Sequence, residues 1–213
     1  FKHNFRSFNP LICFAVKSNT NVNLLREIRK LGYGADVVSI GELMKALKAG
    51  FNPKKIVFSG VGKTSNELNY AINKNILLIN AESKSEIIEI EKIAKSKKKY
   101  VNIGIRLNPN TDAKTLTHIS TGKKENKFGV DVEVSKALYH KAQQSDSLNV
   151  CGMDCHIGSQ IMSSEPFLDA AKRMFKLVEE LASEGIKLSH LDLGGGFGIS
   201  YEETDRLDLE NYL

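Results

Sequence analysis

Four kinds of reactive side chain stand at the ends of apolar, strand-like runs in this sequence. The first run closes Cys13-Phe14-Ala15-Val16-Lys17-Ser18-Asn19. In a strand, side chains alternate between two faces, so Cys13, Ala15 and Lys17 are expected to share one. A lysine amine held in an apolar wall is a nucleophile toward an aldehyde and can form a Schiff base. The last run closes Leu191-Asp192-Leu193-Gly194-Gly195-Gly196-Phe197-Gly198. Three successive glycines let backbone N–H groups turn toward an anion with no side chain in the way. Between them, Asp154-Cys155-His156-Ile157-Gly158-Ser159-Gln160 offers an imidazole that could stack on a flat ring and a hydroxyl that could donate to a phosphate. A fourth run places Gly104, Arg106 and Asn108 on one face. A guanidinium pointing inward requires an anion or a carboxylate, and Asp36, near the end of the second run, is a candidate partner for Arg106 or for Lys17. Amine, glycine cradle, ring and guanidinium together suit a phosphorylated aromatic aldehyde.

Two nucleotide motifs are excluded. Ile199 stands where G-x-G-x-x-G needs its last glycine, and Val57 where a P-loop ending in Gly62-Lys63-Thr64 needs its first. The net charge of +5 is concentrated in Lys95, Lys97, Lys98 and Lys99 at the carboxyl end of an expected helix. Cations are favoured there by the helix dipole, and no aromatic-interleaved basic patch points to nucleic acid. No apolar run approaches the roughly 18 residues of a membrane span, and no signal peptide opens the chain, so the expected compartment is the cytoplasm. Cys13, Cys151 and Cys155 form no metal-ligand set. Cys151 and Cys155 alternate with Met153 along one face, which reads as packing.

The elements that must carry these groups alternate strictly. Strands are expected at Leu11–Lys17, Ala35–Ser39, Ile56–Gly60, Ile76–Ala81, Val101–Asn108, Val150–Ser159 and His190–Gly194. Helical periodicity covers Asn23–Leu31, Ile40–Ala49, Ser65–Asn73, Ser85–Lys95, Val134–Gln143, Phe167–Ser183 and a stretch after Asp208. In the clearest helix, Phe167, Ala171, Met174, Val178 and Leu181 make one stripe, with Ser164 as cap and Gly185 as stop. Strand–helix alternation with short connectors predicts parallel pairing. The first four strands recur at about 22 residues, the period of a TIM (β/α)8-type barrel. Seven strands are counted, so the expectation is a truncated barrel filling residues 1–213 with no second domain. Phe1 in place of Met, and an unfinished helix at Leu213, are read as the ends of a piece cut from a longer protein. The long polar connector from Asn110 to Phe128 follows the fifth strand at its carboxyl end, where barrel active sites are built.

These motifs resemble the fold-type III pyridoxal-phosphate decarboxylases, the group of diaminopimelate, ornithine and arginine decarboxylases related to alanine racemase. Phe14-Ala15-Val16-Lys17-Ser18-Asn19 is similar to the cofactor-lysine motif, and Gly34-Ala35-Asp36-Val37-Val38-Ser39 with Gly41-Glu42-Leu43 to the segment that follows it. His156-Ile157-Gly158-Ser159-Gln160 and Gly194-Gly195-Gly196 are similar to the ring-stacking and phosphate-binding motifs. Gln160, the run Phe58–Thr64, and Ile119-Ser120-Thr121-Gly122 leading to Glu125–Gly129 resemble the diaminopimelate branch. There, Thr115-Leu116-Thr117 replaces the usual Thr-His-Pro. The resemblance implies pyridoxal 5'-phosphate on Lys17, stacking by His156, and a phosphate held by Ser159 and Gly194–Gly196. It implies decarboxylation of meso-diaminopimelate to L-lysine by a homodimer. Ornithine-, arginine- or carboxynorspermidine-type activity, or a non-catalytic homologue that binds the cofactor, is the alternative. It also implies that an eighth strand and a C-terminal β domain complete the site, so this stretch alone is expected to be inactive.

Overall fold

A computed structural model describes residues 9–109 and 128–200 of the chain. Short apolar runs pair in parallel because the helices between them return the chain to its starting end. The strands are β1 (Cys13–Ala15), β2 (Gly34–Val37), β3 (Ile56–Phe58), β4 (Leu78–Ala81), β5 (Val101–Asn108), β6 (Val130–Asp131), β7 (Leu148–Cys155) and β8 (His190–Asp192). They are hydrogen-bonded in the order β1-β2-β3-β4-β5-β7-β8, with the two-residue β6 added beside the end of β5. Seven successive parallel strands thus form the wall of an incomplete α/β barrel, the fold class expected from the sequence; β6 was not foreseen. The helix expected after Asp208 and most of the connector from Asn110 lie outside the described residues.

The helices α1 (Val22–Lys30), α2 (Ile40–Lys48), α3 (Ser65–Lys74), α4 (Lys84–Ser96), α5 (Val132–Gln143) and α6 (Glu165–Ser183) cover the outer face. Their starts are fixed by short polar side chains that satisfy the first free N–H groups. Ser39 and Ser83 accept from Glu42 and Glu86, and Thr64 forms a capping box with Glu67. Ser39 is therefore a helix cap rather than the end of β2. For α6 the cap differs from expectation: Ser164 makes no capping bond, and the Ser163 hydroxyl accepts the Glu165 N–H instead. Gly185, at φ +87°, ends that helix as expected.

Two corrections concern the strands that bear the candidate residues. First, β1 ends at Ala15, and Lys17 lies in a 3-10 turn, Val16–Ser18, not in the strand. Ser18 Oγ donates to Ala15 O (2.7 Å) and Asn19 N–H to Val16 O (3.1 Å), closing the turn. Val16 is buried and Lys17 exposed, so the alternation expected through Lys17 stops two residues short.

Second, β7 carries a bulge. Ile103 pairs with Val150, yet Gly104 pairs with Gly152, leaving Cys151 without an opposite residue. Cys151 packs inside the sheet with Val57, Leu78 and Cys13, while Met153 and Cys155 pack outside with the helices. The single face expected for Cys151, Met153 and Cys155 is thereby split. All three cysteines are free.

Above the bulge, glycines keep the two central strands close. A Cβ on Gly152 would lie 3.1 Å from the Gly104 Cα and 3.0 Å from Leu78. Tyr139, fully buried on α5, donates its hydroxyl to the Gly152 carbonyl (2.9 Å) and so pins the bulged strand from outside. Replacing Tyr139 by Phe leaves that carbonyl without its donor and is expected to lower stability by about 1–3 kcal/mol. Denaturant unfolding of the full-length protein measures it, and an unchanged midpoint would show that the clamp carries no weight.

Candidate active site

At the carboxyl ends of the strands, two loops are laced into one surface. Ile161 N–H donates to Gly196 O and Gly198 N–H to Ile161 O, both at 2.9 Å. Gln160, at φ +56°, adds a side-chain bond from Ile199 N–H to its Oε1 (3.0 Å). The Phe167 and Phe197 rings stack with centroids 5.3 Å apart beneath this lacing. The loop carrying His156 and Ser159 and the loop carrying Gly194–Gly196 are therefore one unit. Gln160 was singled out from the sequence for its type, and its place here is to join the two loops.

The three glycines are not equivalent. A Cβ on Gly194 would lie 2.5 Å from Cys155 O, and one on Gly196 would lie 1.9 Å from Gly158 O. Both also have positive φ, +71° and +101°. They are glycine because the neighbouring loop passes too close for anything larger. At Gly195 nothing lies within 4 Å of the added carbon. Its missing side chain leaves open space, which is what an anion cradle requires.

His156 meets this loop directly: Gly195 N–H donates to its Nδ1 at 3.4 Å. Nδ1 is therefore an acceptor, which puts the proton of the neutral ring on Nε2. Burial, reinforced by the positive charges of Arg106 and Lys17, lowers the His156 pKa from 6.5 to about 4. The imidazole is neutral across the physiological range.

Arg106 meets carboxylates, as the sequence required, but not Asp36. Its Nη1 donates to Glu82 Oε1 at 2.6 Å, and its Nε lies 3.8 Å from Asp154 Oδ2. Phe128 covers the guanidinium, its ring centroid 5.5 Å from Cζ. Burial opposes the charge, but Asp154 and Glu82 outweigh it and keep Arg106 firmly protonated. Glu82 was missed in the sequence because it stands one residue past β4, where a carboxylate looks like part of a solvated helix start. Its Oε2 also accepts the Gly129 N–H at 3.2 Å.

Asp36 instead faces Ser59, with Lys17 and Asp192 near enough to act on its charge. Its Oδ1 is buried without a hydrogen-bond partner. Burial and the charge of Asp192 raise its pKa to about 7, against the opposing pull of Ser59 and Lys17. Asp154 and Asp192 are also pushed up, chiefly by burial. Lys63, from the rejected P-loop pattern, is fully occupied elsewhere: its Nζ binds Gly60 O, Asn80 O and Glu86 Oε1 at 2.6–2.7 Å. Lys17, His156, Ser159, Arg106, Asp36 and Gly194–Gly196 all lie at the carboxyl end of the sheet or just within it. The Ile119–Gly122 run lies outside the described residues. Among the described residues, no set of histidine, cysteine or acidic side chains is placed to hold a metal ion, and no helix is long and apolar enough to cross a membrane.

Known proteins of one family resemble this chain. The family described as pyridoxal-dependent decarboxylase, pyridoxal binding domain, matches residues 1–213. Diaminopimelate decarboxylase of Neisseria meningitidis is 45% identical over 208 residues, covering 98% of this chain and 50% of that protein. The crystal structure of diaminopimelate decarboxylase from Helicobacter pylori complexed with L-lysine superposes with a TM-score of 0.96 at 44% identity, over 99% of this chain and 54% of that one. A lysine decarboxylase from Selenomonas ruminantium is more distant, with a TM-score of 0.83 at 25% identity over 97% of this chain and 52% of that one. The chain spans about half the length of the curated relatives it matches.

Two outcomes follow from this geometry. In the full-length protein, Gly195→Ala is expected to fold with unchanged stability and to lose anion binding, whereas Gly196→Ala is expected to be destabilised by several kcal/mol through its contact with Gly158. Thermal unfolding together with phosphate titration separates them; a stable Gly196→Ala protein would contradict the assignment. For His156, burial and two neighbouring cations disfavour the imidazolium, so the folded protein takes up its proton only near pH 4. Between there and pH 6.5 the unfolded chain binds that proton and the folded one does not, so this group lowers stability progressively as pH falls through that window. Nitrogen-15 NMR of labelled histidine in cofactor-free protein reads the titration, and a midpoint near 6.5 contradicts the burial.

Proposed function

The chain belongs to the pyridoxal-dependent decarboxylases, as their pyridoxal-binding domain, and from that premise we propose that its full-length protein converts meso-2,6-diaminopimelate to L-lysine and CO2. The observation that carries the assignment of the cofactor is the convergence of an exposed lysine amine with an open glycine turn and a neutral ring. Support for the substrate comes from the relatives, which are diaminopimelate decarboxylases at 43–48% identity, and from L-lysine bound in the Helicobacter pylori enzyme. The last step of lysine biosynthesis, in the cytoplasm and by a homodimer, is the setting this activity implies.

The residues suit pyridoxal 5'-phosphate. Open space beside Gly195 and the hydroxyl of Ser159 fit a phosphate, while Gly194 and Gly196 hold the turn that exposes it. When bound, the pyridine ring of the cofactor supplies an electron sink for the pair released as the carboxyl group departs. The chain's own groups do the rest of the work on this side of the site. Lys17 would offer its amine to the aldehyde of the bound cofactor. His156 would face its ring as a neutral imidazole, adding no charge there. Arg106 presents a fixed positive charge, held by Glu82 and Asp154, within the wall. Asp36, whose pKa is near 7, can hold a proton at its carboxyl beside Lys17.

The test uses full-length protein incubated with meso-diaminopimelate, ornithine, arginine and lysine in turn. Lysine released from meso-diaminopimelate alone is the expected result; turnover of one of the others in its place would reassign the substrate and leave the cofactor site standing. Lys17→Ala is expected to abolish the visible absorbance of lysine-bound cofactor and to cut turnover by several orders of magnitude. A persistent, borohydride-sensitive band in that variant would show that another lysine holds the cofactor.

A further inference from the structure

Beneath Lys17 and the glycine turn, a line of polar groups crosses the inside of the barrel. Ser59, just past β3, lies beside the Asp36 carboxyl on β2 and pulls its pKa down. The side-chain amide of Asn80, on β4, donates to Ser59 Oγ at 3.3 Å and to Asp192 Oδ2, at the end of β8, at 3.4 Å. Asp192 Oδ1 in turn accepts the Gly194 N–H at 2.9 Å. Strands β4 and β8 are not neighbours, since β5 and β7 lie between them in the sheet. The Asn80–Asp192 contact therefore spans the barrel interior and exists only because the wall curls.

Asn80 is fully buried, and its Oδ1 has no hydrogen-bond partner. Room for that oxygen is made by Gly104, where a Cβ would lie 2.3 Å away. The orientation of the amide follows from its neighbours: a carboxylate oxygen accepts, so the nitrogen must face Asp192. A buried side chain that leaves its own carbonyl unsatisfied would be replaced with profit by an apolar one if stability were its only task. Its two donors are what an apolar residue would lack. One acts on Ser59 and the other on Asp192, whose carboxyl is pushed toward protonation by burial and drawn back toward the anion by the donors Gly194 and Asn80.

We propose that Asn80 is a positioning residue for the phosphate end of the cofactor site. By holding Asp192 Oδ2 from within the barrel, it aims Oδ1 at the Gly194 N–H and so sets the pitch of the turn that leaves Gly195 open. Asn80 touches neither the cofactor nor the substrate; it acts through Asp192 and Gly194. This deepens the reading of that turn as a phosphate cradle and rests on it.

Two measurements on full-length, cofactor-free protein test it. Hydrogen–deuterium exchange over the segment around Gly194 reports the turn itself, with no ligand present. Binding of pyridoxal 5'-phosphate and of pyridoxal, which lacks the phosphate but keeps the aldehyde, reports what the turn does. Asn80→Ala is expected to speed exchange at Gly194 and to weaken pyridoxal 5'-phosphate about tenfold, with pyridoxal affinity unchanged. If Asn80→Ala does not fold, Asn80→Ser, which keeps one donor, takes its place with a smaller effect in the same direction. Unchanged exchange at Gly194, or equal weakening of both ligands, overturns the proposal. Failure of wild-type protein to bind pyridoxal 5'-phosphate defeats the reading of the cradle instead, and the exchange comparison still decides the role of Asn80.

Discussion

Among the described residues inside this barrel wall, carboxyl groups outnumber the cations placed to neutralise them. Glu82 and Asp154 flank Arg106, and Asp36 and Asp192 lie within reach of the same field. Isolated buried carboxylates are too costly to keep, so each must be paired, hydrogen-bonded or protonated. Arg106 pairs with two of them. Asn80, Ser59 and the Gly194 N–H bind the other two. What remains is relieved by raised pKa values, which leave some carboxyls carrying protons near neutrality. The contacts of Arg106, of Asn80 and of the Gly194 N–H can be understood as responses to this one imbalance.

The same response ties loops to the wall. Glu82 takes Arg106 with one oxygen and the Gly129 N–H with the other, tying the wall to the point where the chain re-enters after the long connector. Lys63 does similar work one strand away, joining the ends of β3 and β4 to Glu86 at the start of α4. Glu86 Oε2 accepts the Glu82 N–H in turn (3.3 Å). Buried ion pairs of this kind add little net stability compared with apolar packing, but they specify geometry. In a site that must hold a planar ring and a phosphate at once, geometry is what is needed.

Much of this was legible in the sequence. The strand–helix rhythm gave the parallel wall, and strand ends gave Lys17, His156, Arg106 and the glycines. What was not legible has a common cause. Alternation assumes an unbroken strand, so it failed at Lys17, where Ser18 turns the chain into a 3-10 turn, and at Cys151, where the bulge intervenes. Asp36 was a candidate partner for Arg106 or for Lys17; only the curl of the wall decides that Glu82 and Asp154 lie closer to Arg106. The pairing of Asn80 with Ser59 carried no signal, because two small polar residues 21 positions apart look like nothing until β3 and β4 are side by side. Equally, three consecutive glycines cannot disclose that two are demanded by a neighbouring loop while the third borders open space.

The bulge at Cys151 has a consequence for how the two ends of the barrel relate. Below it, β7 turns its inward side chains in one phase; above it, in the other. The thiol of Cys151 can therefore face the dry lower layer, while Asp154 and His156 face the polar mouth, along a single strand. The lower layer and the mouth thus differ in register along the same strand. One unpaired residue acts as a phase shift between a part of the molecule that only has to be solid and a part that has to do chemistry.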